Sequence, residues 1–132
     1  MKRALTYGLT HLAIKVRNLK RTRQFYEAVL DMQVMYEEDD FIQLTTPGSH
    51  DILVFEKSRS TQTGKSGAIV HFGFRLRRPA AIQTVVSKIK KAGGKIIDNG
   101  EFLPGSPYVF FYDPDGYEVE VWYEWLAKKK RS

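Results

Sequence analysis

The chain has 132 residues, no cysteine and a net charge of +6 at pH 7, and its hydrophobic share of 42% is typical of a globular protein. The missing cysteines exclude disulfides, thiolate nucleophiles and cysteine-ligated zinc sites. No apolar run approaches the roughly 20 residues that span a bilayer, and the first residues lack the apolar segment of a secretory signal. We therefore expect a single-domain cytoplasmic protein without a membrane partner.

The positive charge is concentrated at the C-terminal end. Lys128, Lys129, Lys130 and Arg131 lie in a tail that we assign to 126–132. In the rest of the chain the lysines and arginines are dispersed and are not interleaved with aromatic residues, so we expect no nucleic-acid partner. We interpret the tail as a solvated end, and a weak contact with nucleic acid or a membrane surface is the alternative.

The first half of the chain predicts a strand, a helix and three more strands. Apolar and polar residues alternate over 10–16, which predicts the first strand, and Asn18 is suited to cap the helix that follows. Apolar residues then recur at helical spacing from Leu19 to Leu30. The three further strands are predicted over 33–36, 41–45 and 51–56.

The second half repeats this order after a polar, glycine-containing linker over 58–67. A strand is predicted over 68–77, and Pro79 is suited to the first turn of a helix that ends at Gly93-Gly94. The turn signal Asp113-Pro114-Asp115-Gly116 separates the last two strands. The three strands after the helix are predicted over 95–98, 108–112 and 117–122.

A heptapeptide that occurs twice indicates that the two halves are copies of one unit. His11-Leu12-Ala13-Ile14-Lys15-Val16-Arg17 matches His71-Phe72-Gly73-Phe74-Arg75-Leu76-Arg77 in residue type at every position. Each half is then a βαβββ module, the first over about 8–57 and the second over about 68–125, within one domain. Two such modules predict an α+β fold in which two curled, mixed sheets face each other around a cup.

Strand parity directs three metal-ligating side chains into this cup. His11 and His71 lie opposite to the helix-facing apolar residues of their strands, and Glu120 lies opposite to Val119 and Val121. A single strand histidine is more often a hydrogen-bonded structural residue, but two at equivalent positions with a carboxylate leave coordination positions open for a substrate. The set favours Fe(II) or Mn(II), and Zn(II), Ni(II) or Co(II) are the other candidates.

The same residues resemble those of a known superfamily. The segments Thr10-His11-Leu12-Ala13-Ile14-Lys15-Val16, Phe25-Tyr26 with Leu30, and Phe111-Tyr112-Asp113-Pro114-Asp115-Gly116-Tyr117-Glu118-Val119-Glu120 are similar to the vicinal oxygen chelate superfamily. That superfamily contains glyoxalase I, extradiol dioxygenases, fosfomycin-resistance proteins, methylmalonyl-CoA epimerase and bleomycin-resistance proteins. The resemblance covers about residues 8–125 and is not specific to one chemistry. It implies that His11, His71 and Glu120 are metal ligands and that the chain forms a homodimer.

The resemblance also implies which activities fit poorly. Glyoxalase I and the epimerase use a fourth ligand, which aligns with Leu53 here, while the nearby Glu56 has the opposite strand parity. Extradiol dioxygenases and fosfomycin-modifying enzymes use three ligands and a tyrosine ten residues before the glutamate, where this chain has Phe110. Bleomycin-resistance proteins lack metal and use acidic grooves, which fits poorly with the three ligands and the charge of +6.

Parity also predicts the residues that line the cup, an apolar, aromatic wall around one polar site. Lys15 and Arg75 share the faces of the two histidines, where they can reach an anionic substrate group or remain solvated. Glu118 can be an acid–base group, a rim charge or a partner of a metal ligand. The predicted substrate-binding residues are Leu53, Phe55, Phe110, Trp122, Lys15 and Arg75, and the acid–base candidates are Glu118, Tyr108 and Tyr112.

We therefore predict a metal-dependent enzyme that acts on a small oxygen-bearing substrate by dioxygenase-like, lyase-like or isomerase-like chemistry. The alternative is a non-catalytic small-molecule binding or resistance protein on the same fold. Phe110 favours the alternative because it offers neither a proton nor a hydrogen bond. The His/His/Glu set opposes it, because a purely hydrophobic binding protein has no need of three such ligands.

Overall fold

A computed structural model describes residues 4–124, so the predicted basic tail over 126–132 lies outside the described residues. The chain divides into two compact units between Thr63 and Gly64. The elements in chain order are β1 (His11–Val16), α1 (Leu19–Leu30), β2 (Gln33–Glu37), β3 (Phe41–Thr45), β4 (Ile52–Lys57), β5 (Phe72–Arg75), α2 (Ile82–Lys91), β6 (Lys95–Glu101), β7 (Pro107–Tyr112) and β8 (Glu118–Trp122).

The first unit is a four-stranded sheet with α1 packed on one face. The strand order is β1-β4-β3-β2, with β1 and β4 parallel and the other neighbours antiparallel. Asn18 caps α1 as predicted, because its side-chain oxygen accepts the backbone N–H of Arg21 at 2.9 Å. The apolar stripe of α1 is buried against the sheet, with the ring of Tyr26 5.0 Å from the ring of Phe55 in β4.

The second unit has the same topology. Its strand order is β5-β8-β7-β6, with β5 and β8 parallel and the other neighbours antiparallel. A single 3₁₀ turn over Pro79–Ala81 leads into α2, whose residues Val85, Val86 and Ile89 are buried. Each open, mixed sheet carries one helix, which follows the first strand of its module. This order confirms the predicted α+β fold of two βαβββ modules.

The strand β5 is much shorter than the predicted strand over 68–77. Its pairing with β8 begins only at Phe72, opposite Val119, because a turn precedes it in which the Ile69 N–H donates to the Ser66 carbonyl at 3.1 Å. Ile69 and Val70 are exposed despite their strand-forming side chains. His71 therefore lies just before β5, whereas His11 is the first residue of β1.

The remaining strand ends agree with the sequence to within one residue, with the exception of β6. This strand continues to Glu101, three residues beyond its predicted end, because it pairs with β7 along its whole length. Neither helix of the part described, residues 4–124, is long and apolar enough to cross a membrane.

Candidate functional site

The turn between β7 and β8 fixes the direction of the strand that carries the carboxylates. Asp113 is 5% exposed, and its Oδ1 accepts the backbone N–H groups of Asp115, Gly116 and Tyr117, each at 3.0 Å. The strand β8 follows at once, with Val119 and Val121 fully buried on the side of α2. Because side chains alternate along a strand, the next set points to the opposite face. These residues are Glu118, Glu120 and Trp122.

His71 lies between the two carboxylates on this face. Its Nε2 is 3.1 Å from Oε1 of Glu120, and its Nδ1 is 3.6 Å from Oε2 of Glu118. The Glu120 side chain is 13% exposed, and those of His71 and Glu118 are about a third exposed. The structure thus brings His71, Glu118 and Glu120 together, as the parity of β8 predicts.

The environment of Glu120 changes its acidity. Burial raises the pKa of Glu120 because a carboxylate loses solvation there, and the nearby negative charge of Glu118 raises this pKa further. The imidazole of His71 acts in the opposite direction, through its charge and its hydrogen bond. The net pKa of Glu120 is above its ordinary value, so this carboxyl holds its proton more strongly than a solvated glutamate does.

The pair of His71 and Glu120 fits a divalent cation in donor chemistry and in spacing. Imidazole nitrogen and carboxylate oxygen are the ligands that manganese, iron and zinc use in proteins. Two donor atoms that bind one cation at about 2.1 Å and at a right angle are about 3.0 Å apart, close to the observed 3.1 Å. Among the described residues, no group of three or more histidine, cysteine, aspartate or glutamate side chains forms a metal cluster.

An aromatic wall continues from His71 across the sheet. The ring of Phe110 packs edge to face against the ring of His71, with 5.1 Å between the ring centroids. The ring centroid of Tyr108 is 5.6 Å from that of Phe110. Phe102 stacks on Tyr108 at a centroid distance of 4.1 Å. This wall lies on the same face as Glu120, because Phe110 is directly opposite Glu120 in the β7–β8 register. Phe110 and Tyr108 are therefore placed as predicted.

Trp122 lies on this face over a glycine of the neighbouring strand. A Cβ atom added to Gly73 would be 2.9 Å from Cζ3 of Trp122 and 2.8 Å from the carbonyl oxygen of Glu120. Both distances are shorter than real contacts, so the indole and the β8 backbone occupy the space that any side chain at Gly73 would need. Arg75 is directly opposite Trp122 and is exposed.

In the first unit, the predicted orientation of Leu53 and Phe55 is wrong. The β1–β4 register pairs Leu12 with Leu53 and Ile14 with Phe55, and these are helix-facing positions. Leu53 is 4% exposed and Phe55 is fully buried, with its ring against Tyr26 of α1. Both residues are therefore part of the core beneath α1 and do not line the opposite face of the sheet.

The residues that do share the face of His11 are the alternate ones. Ile52 is directly opposite His11, Val54 is opposite Ala13, and Glu56 is opposite Lys15. Glu56 therefore lies on the same face of the sheet as His11. This corrects the prediction, which put Leu53 on that face and Glu56 on the other. The position of Glu120 in the second unit corresponds to Val54 in the first. That position therefore lacks a carboxylate, and Glu56 lies two residues further along the strand.

Two features of the site gave little signal in the sequence. Asp98 accepts the hydroxyl hydrogen bond of Tyr108 at 3.1 Å, which raises the pKa of Tyr108. A register irregularity in β6 between Ile96 and Asp98 breaks the alternation, so strand parity did not find this carboxylate. The need for a glycine at position 73 depends on the close approach of Trp122, although the paired Ala13 of the repeat indicated that a small residue is required.

Comparison with known proteins gives a family and several relatives. A family model described as the Glyoxalase/Bleomycin resistance protein/Dioxygenase superfamily matches residues 8–121. A manganese-dependent 2,3-dihydroxybiphenyl 1,2-dioxygenase from Geobacillus genomosp. 3 is 23% identical over 116 residues, which are 86% of this chain and 36% of that protein. The chain thus spans about a third of the length of this relative.

Two further similarities extend over nearly whole chains. An uncharacterized protein from Pseudomonas aeruginosa, PA2024, is 29% identical over 122 residues, which are 87% of each chain. The fosfomycin resistance protein FosX from Listeria monocytogenes, in a crystal structure with Mn(II) and a sulfate ion, has a TM-score of 0.76. The match covers 96% of this chain and 98% of FosX at 16% sequence identity, and at that identity it shows the fold alone.

Proposed function

The chain belongs to the Glyoxalase/Bleomycin resistance protein/Dioxygenase superfamily, and we propose that it is a metal-dependent enzyme acting on a small oxygen-bearing substrate. His71 and Glu120 hold the cation in this proposal, and His11 is the third ligand. The observation that carries the proposal is the 3.1 Å contact between Nε2 of His71 and Oε1 of Glu120. A purely structural sheet has no need to pair these groups on its face opposite the helix.

Manganese is the first metal to test. The Geobacillus relative is named as manganese-dependent, and the FosX crystal structure contains Mn(II). Fe(II) has the same ligand preference, and Zn(II), Ni(II) and Co(II) are the alternatives. A divalent cation bound to these residues would supply Lewis-acid stabilisation of negative charge on substrate oxygens.

The side chains around the pair define the kind of substrate. Phe110 and Tyr108 form an aromatic wall beside His71, which suits a small molecule with an apolar part. Arg75 and Lys15 are the cations for an anionic group. Arg75 is the stronger candidate because Trp122 is opposite it, whereas the carboxylate of Glu56 is opposite Lys15.

Tyr108 is the best placed of the acid–base candidates. Its hydroxyl donates to Oδ2 of Asp98 at 3.1 Å, and this hydrogen bond raises the pKa of Tyr108. Because the phenol has a single proton, it can accept a hydrogen bond from a substrate while it is bound to Asp98, and it donates to a substrate oxygen only after it leaves Asp98. This role suits both dioxygenase-like and lyase-like or isomerase-like reactions.

Metal analysis of protein purified without chelator tests the proposal. We expect about one metal ion per chain after reconstitution with Mn(II), and its loss in His71→Ala and Glu120→Ala. His11→Ala tests the third ligand in the same way. The matched control is His50→Ala, because His50 is in a loop, where its ring stacks on Tyr7 at 3.8 Å, and this variant should retain the metal. A wild-type protein that takes up no divalent metal would contradict the proposal.

The second candidate function is non-catalytic capture of a small aromatic molecule. The aromatic wall favours it, with Phe102, Tyr108 and Phe110 in a continuous row. Quenching of intrinsic fluorescence by aromatic ligands separates the two functions. Tight binding to chelator-treated protein supports capture, whereas binding that requires Mn(II) supports the enzyme.

A homodimer also stays a prediction, which light scattering in solution tests.

A further inference from the structure

One nitrogen of His71 has no hydrogen-bond partner although it is shielded from solvent. The Nδ1 atom is buried, and no donor or acceptor of the described residues lies within hydrogen-bond distance of it. A buried polar atom without a partner typically costs about 1–3 kcal/mol. Because nearly all such atoms are satisfied in folded proteins, an unsatisfied one calls for an explanation.

Glu118 is the group that can satisfy this nitrogen. Its Oε2 is 3.6 Å from Nδ1, slightly beyond the range of a hydrogen bond. The strand β8 holds Glu118 on the same face as Glu120, at the position next to His71 when the β5–β8 register is continued. The terminal torsion of a glutamate is soft, so a rotation that moves Oε2 by less than about 1 Å completes the contact.

The two nitrogens of an imidazole are coupled through their proton. A neutral histidine that binds a cation through Nε2 carries its proton on Nδ1, and the acceptor of that proton fixes the tautomer and the ring orientation. His71 presents Nε2 to Glu120 and Nδ1 to Glu118. The two carboxylates on this face therefore have different tasks.

The first unit offers no such acceptor to His11 on the neighbouring strand. Ile52 is directly opposite His11 and occupies the position that Glu118 has in the second unit. Ile52 cannot accept a hydrogen bond. The carboxylate beside His71 is thus a property of one module, and the duplication of the fold does not account for it.

We propose that Glu118 is a positioning residue, which accepts the Nδ1 proton of His71 and so keeps Nε2 available to a divalent cation. This inference rests on the proposed metal site. It assigns Glu118 to the orientation of a ligand and removes it from the acid–base candidates that act on the substrate.

Two variants at this position separate hydrogen bonding from charge. Glu118→Ala removes both the acceptor and the charge, whereas Glu118→Gln keeps an amide oxygen that can accept the Nδ1 proton. We expect Glu118→Ala to weaken Mn(II) binding about 10- to 100-fold. Glu118→Gln should retain most of the Mn(II) affinity of the wild type. The matched control is Glu27→Ala, which removes an equal charge from the surface of α1 and should leave the affinity unchanged.

A spectroscopic signature tests the tautomer directly. In the protein loaded with Zn(II), which is diamagnetic, nuclear magnetic resonance should show a slowly exchanging Nδ1 proton of His71 in the wild type and in Glu118→Gln. This signal should be absent in Glu118→Ala. A role in folding alone would change stability without moving this resonance.

The outcomes are distinct for the two proposals. A wild-type protein that binds neither Mn(II) nor Zn(II) overturns the proposed function together with this inference. Metal binding that Glu118→Ala leaves within a factor of about two of the wild type overturns the inference alone. Equal losses in Glu118→Ala and Glu118→Gln also overturn it, because the effect would then be one of charge.

Discussion

The two modules share a topology but differ in one strand. Each has its first and last strands parallel, its helix on one face and a register irregularity in its second strand. Opposite the histidine-bearing strand, however, β4 presents Ile52, Val54 and Glu56, whereas β8 presents Glu118, Glu120 and Trp122. The helix-facing positions between them are apolar in both modules.

This difference separates the positions of the repeat that pack beneath a helix from those on the opposite face. Core positions in both modules must fill the space beneath a helix, so they stay apolar and tightly packed. On the opposite faces both modules carry a histidine, but only the second places two carboxylates, Glu118 and Glu120, beside it. The fold is therefore duplicated, while the contact between a histidine and two carboxylates occurs in the second copy.

Truncation of equivalent core residues should lower the free energy of unfolding the most, and it should do so in both modules. Phe111 and Leu44 occupy corresponding positions, and both are fully buried. We expect Phe111→Ala to lower the free energy of unfolding by about 3–5 kcal/mol and Leu44→Ala by about 2–5 kcal/mol. Urea denaturation measures both values. A cost below about 1 kcal/mol in either variant would show that its helix–sheet core is not stabilising.

A carboxylate placed in the first module should break the asymmetry. Val54 corresponds to Glu120 and is 7% exposed, so Val54→Glu buries an acceptor and should cost about 1–3 kcal/mol in metal-free protein. The introduced carboxylate lies next to His11 and recreates the histidine–carboxylate pair of the second module. Mn(II) should therefore restore the stability that Val54→Glu loses. Thermal unfolding with and without Mn(II) measures this, and Val54→Gln is the uncharged control. Equal responses of the two variants to Mn(II) would contradict the correspondence.

Substitutions at the two small residues of the repeat, Gly73 and Ala13, should change the stability of the protein unequally. Gly73→Ala places a Cβ atom 2.8 Å from the carbonyl oxygen of Glu120, and we expect a cost of about 1–3 kcal/mol. The paired Ala13 already carries a Cβ, so Ala13→Gly should cost only about 0.5–1 kcal/mol. The indole N–H resonance of Trp122 should shift in Gly73→Ala alone. An unshifted resonance would mean that the indole does not depend on the glycine.

The smallest effect concerns the tyrosine of the aromatic wall. Asp98→Ala removes the acceptor of the Tyr108 hydroxyl and a nearby negative charge, and both of these favour the neutral phenol. The pKa of Tyr108 should therefore fall toward its ordinary value. Titration of tyrosinate absorbance detects the change, with Tyr108→Phe to assign it. In the first module, Glu38→Ala should lower the pKa of Tyr36 for the same reason, and an unchanged titration would contradict the assigned cause.

The success of the sequence predictions follows from how clearly each strand shows its parity. In β8, valines alternate with polar residues, so the orientation of Glu118, Glu120 and Trp122 could be predicted. In β4, the residues from Ile52 to Phe55 are all apolar, and periodicity cannot tell which of them face the helix. The assignment of Leu53 and Phe55 was wrong for this reason.

Two further predictions failed because they depended on how strands pair and not on the pattern within one strand. The β-forming residues before His71 predicted a longer β5, but a strand exists only where a partner pairs with it, and the pairing of β5 with β8 begins at Phe72, opposite Val119. The irregularity in β6 moved Asp98 to the face of Tyr108, and such irregularities leave no clear mark on the residue pattern. The orientation of single side chains thus depended on pairing that sequence periodicity does not contain.

The parallel pairing of β5 with β8 has a consequence for how the protein is made. His71 comes from the start of its module and its two carboxylates come from the last strand, so a ribosome must synthesise the whole module before the three groups can meet. Non-local pairing of this kind is slow compared with helix formation. A nascent chain that ends before Glu118 can form α2 and the β6–β7 hairpin, yet it lacks the carboxylates. The proposed capacity to bind a metal should therefore appear late and abruptly during synthesis.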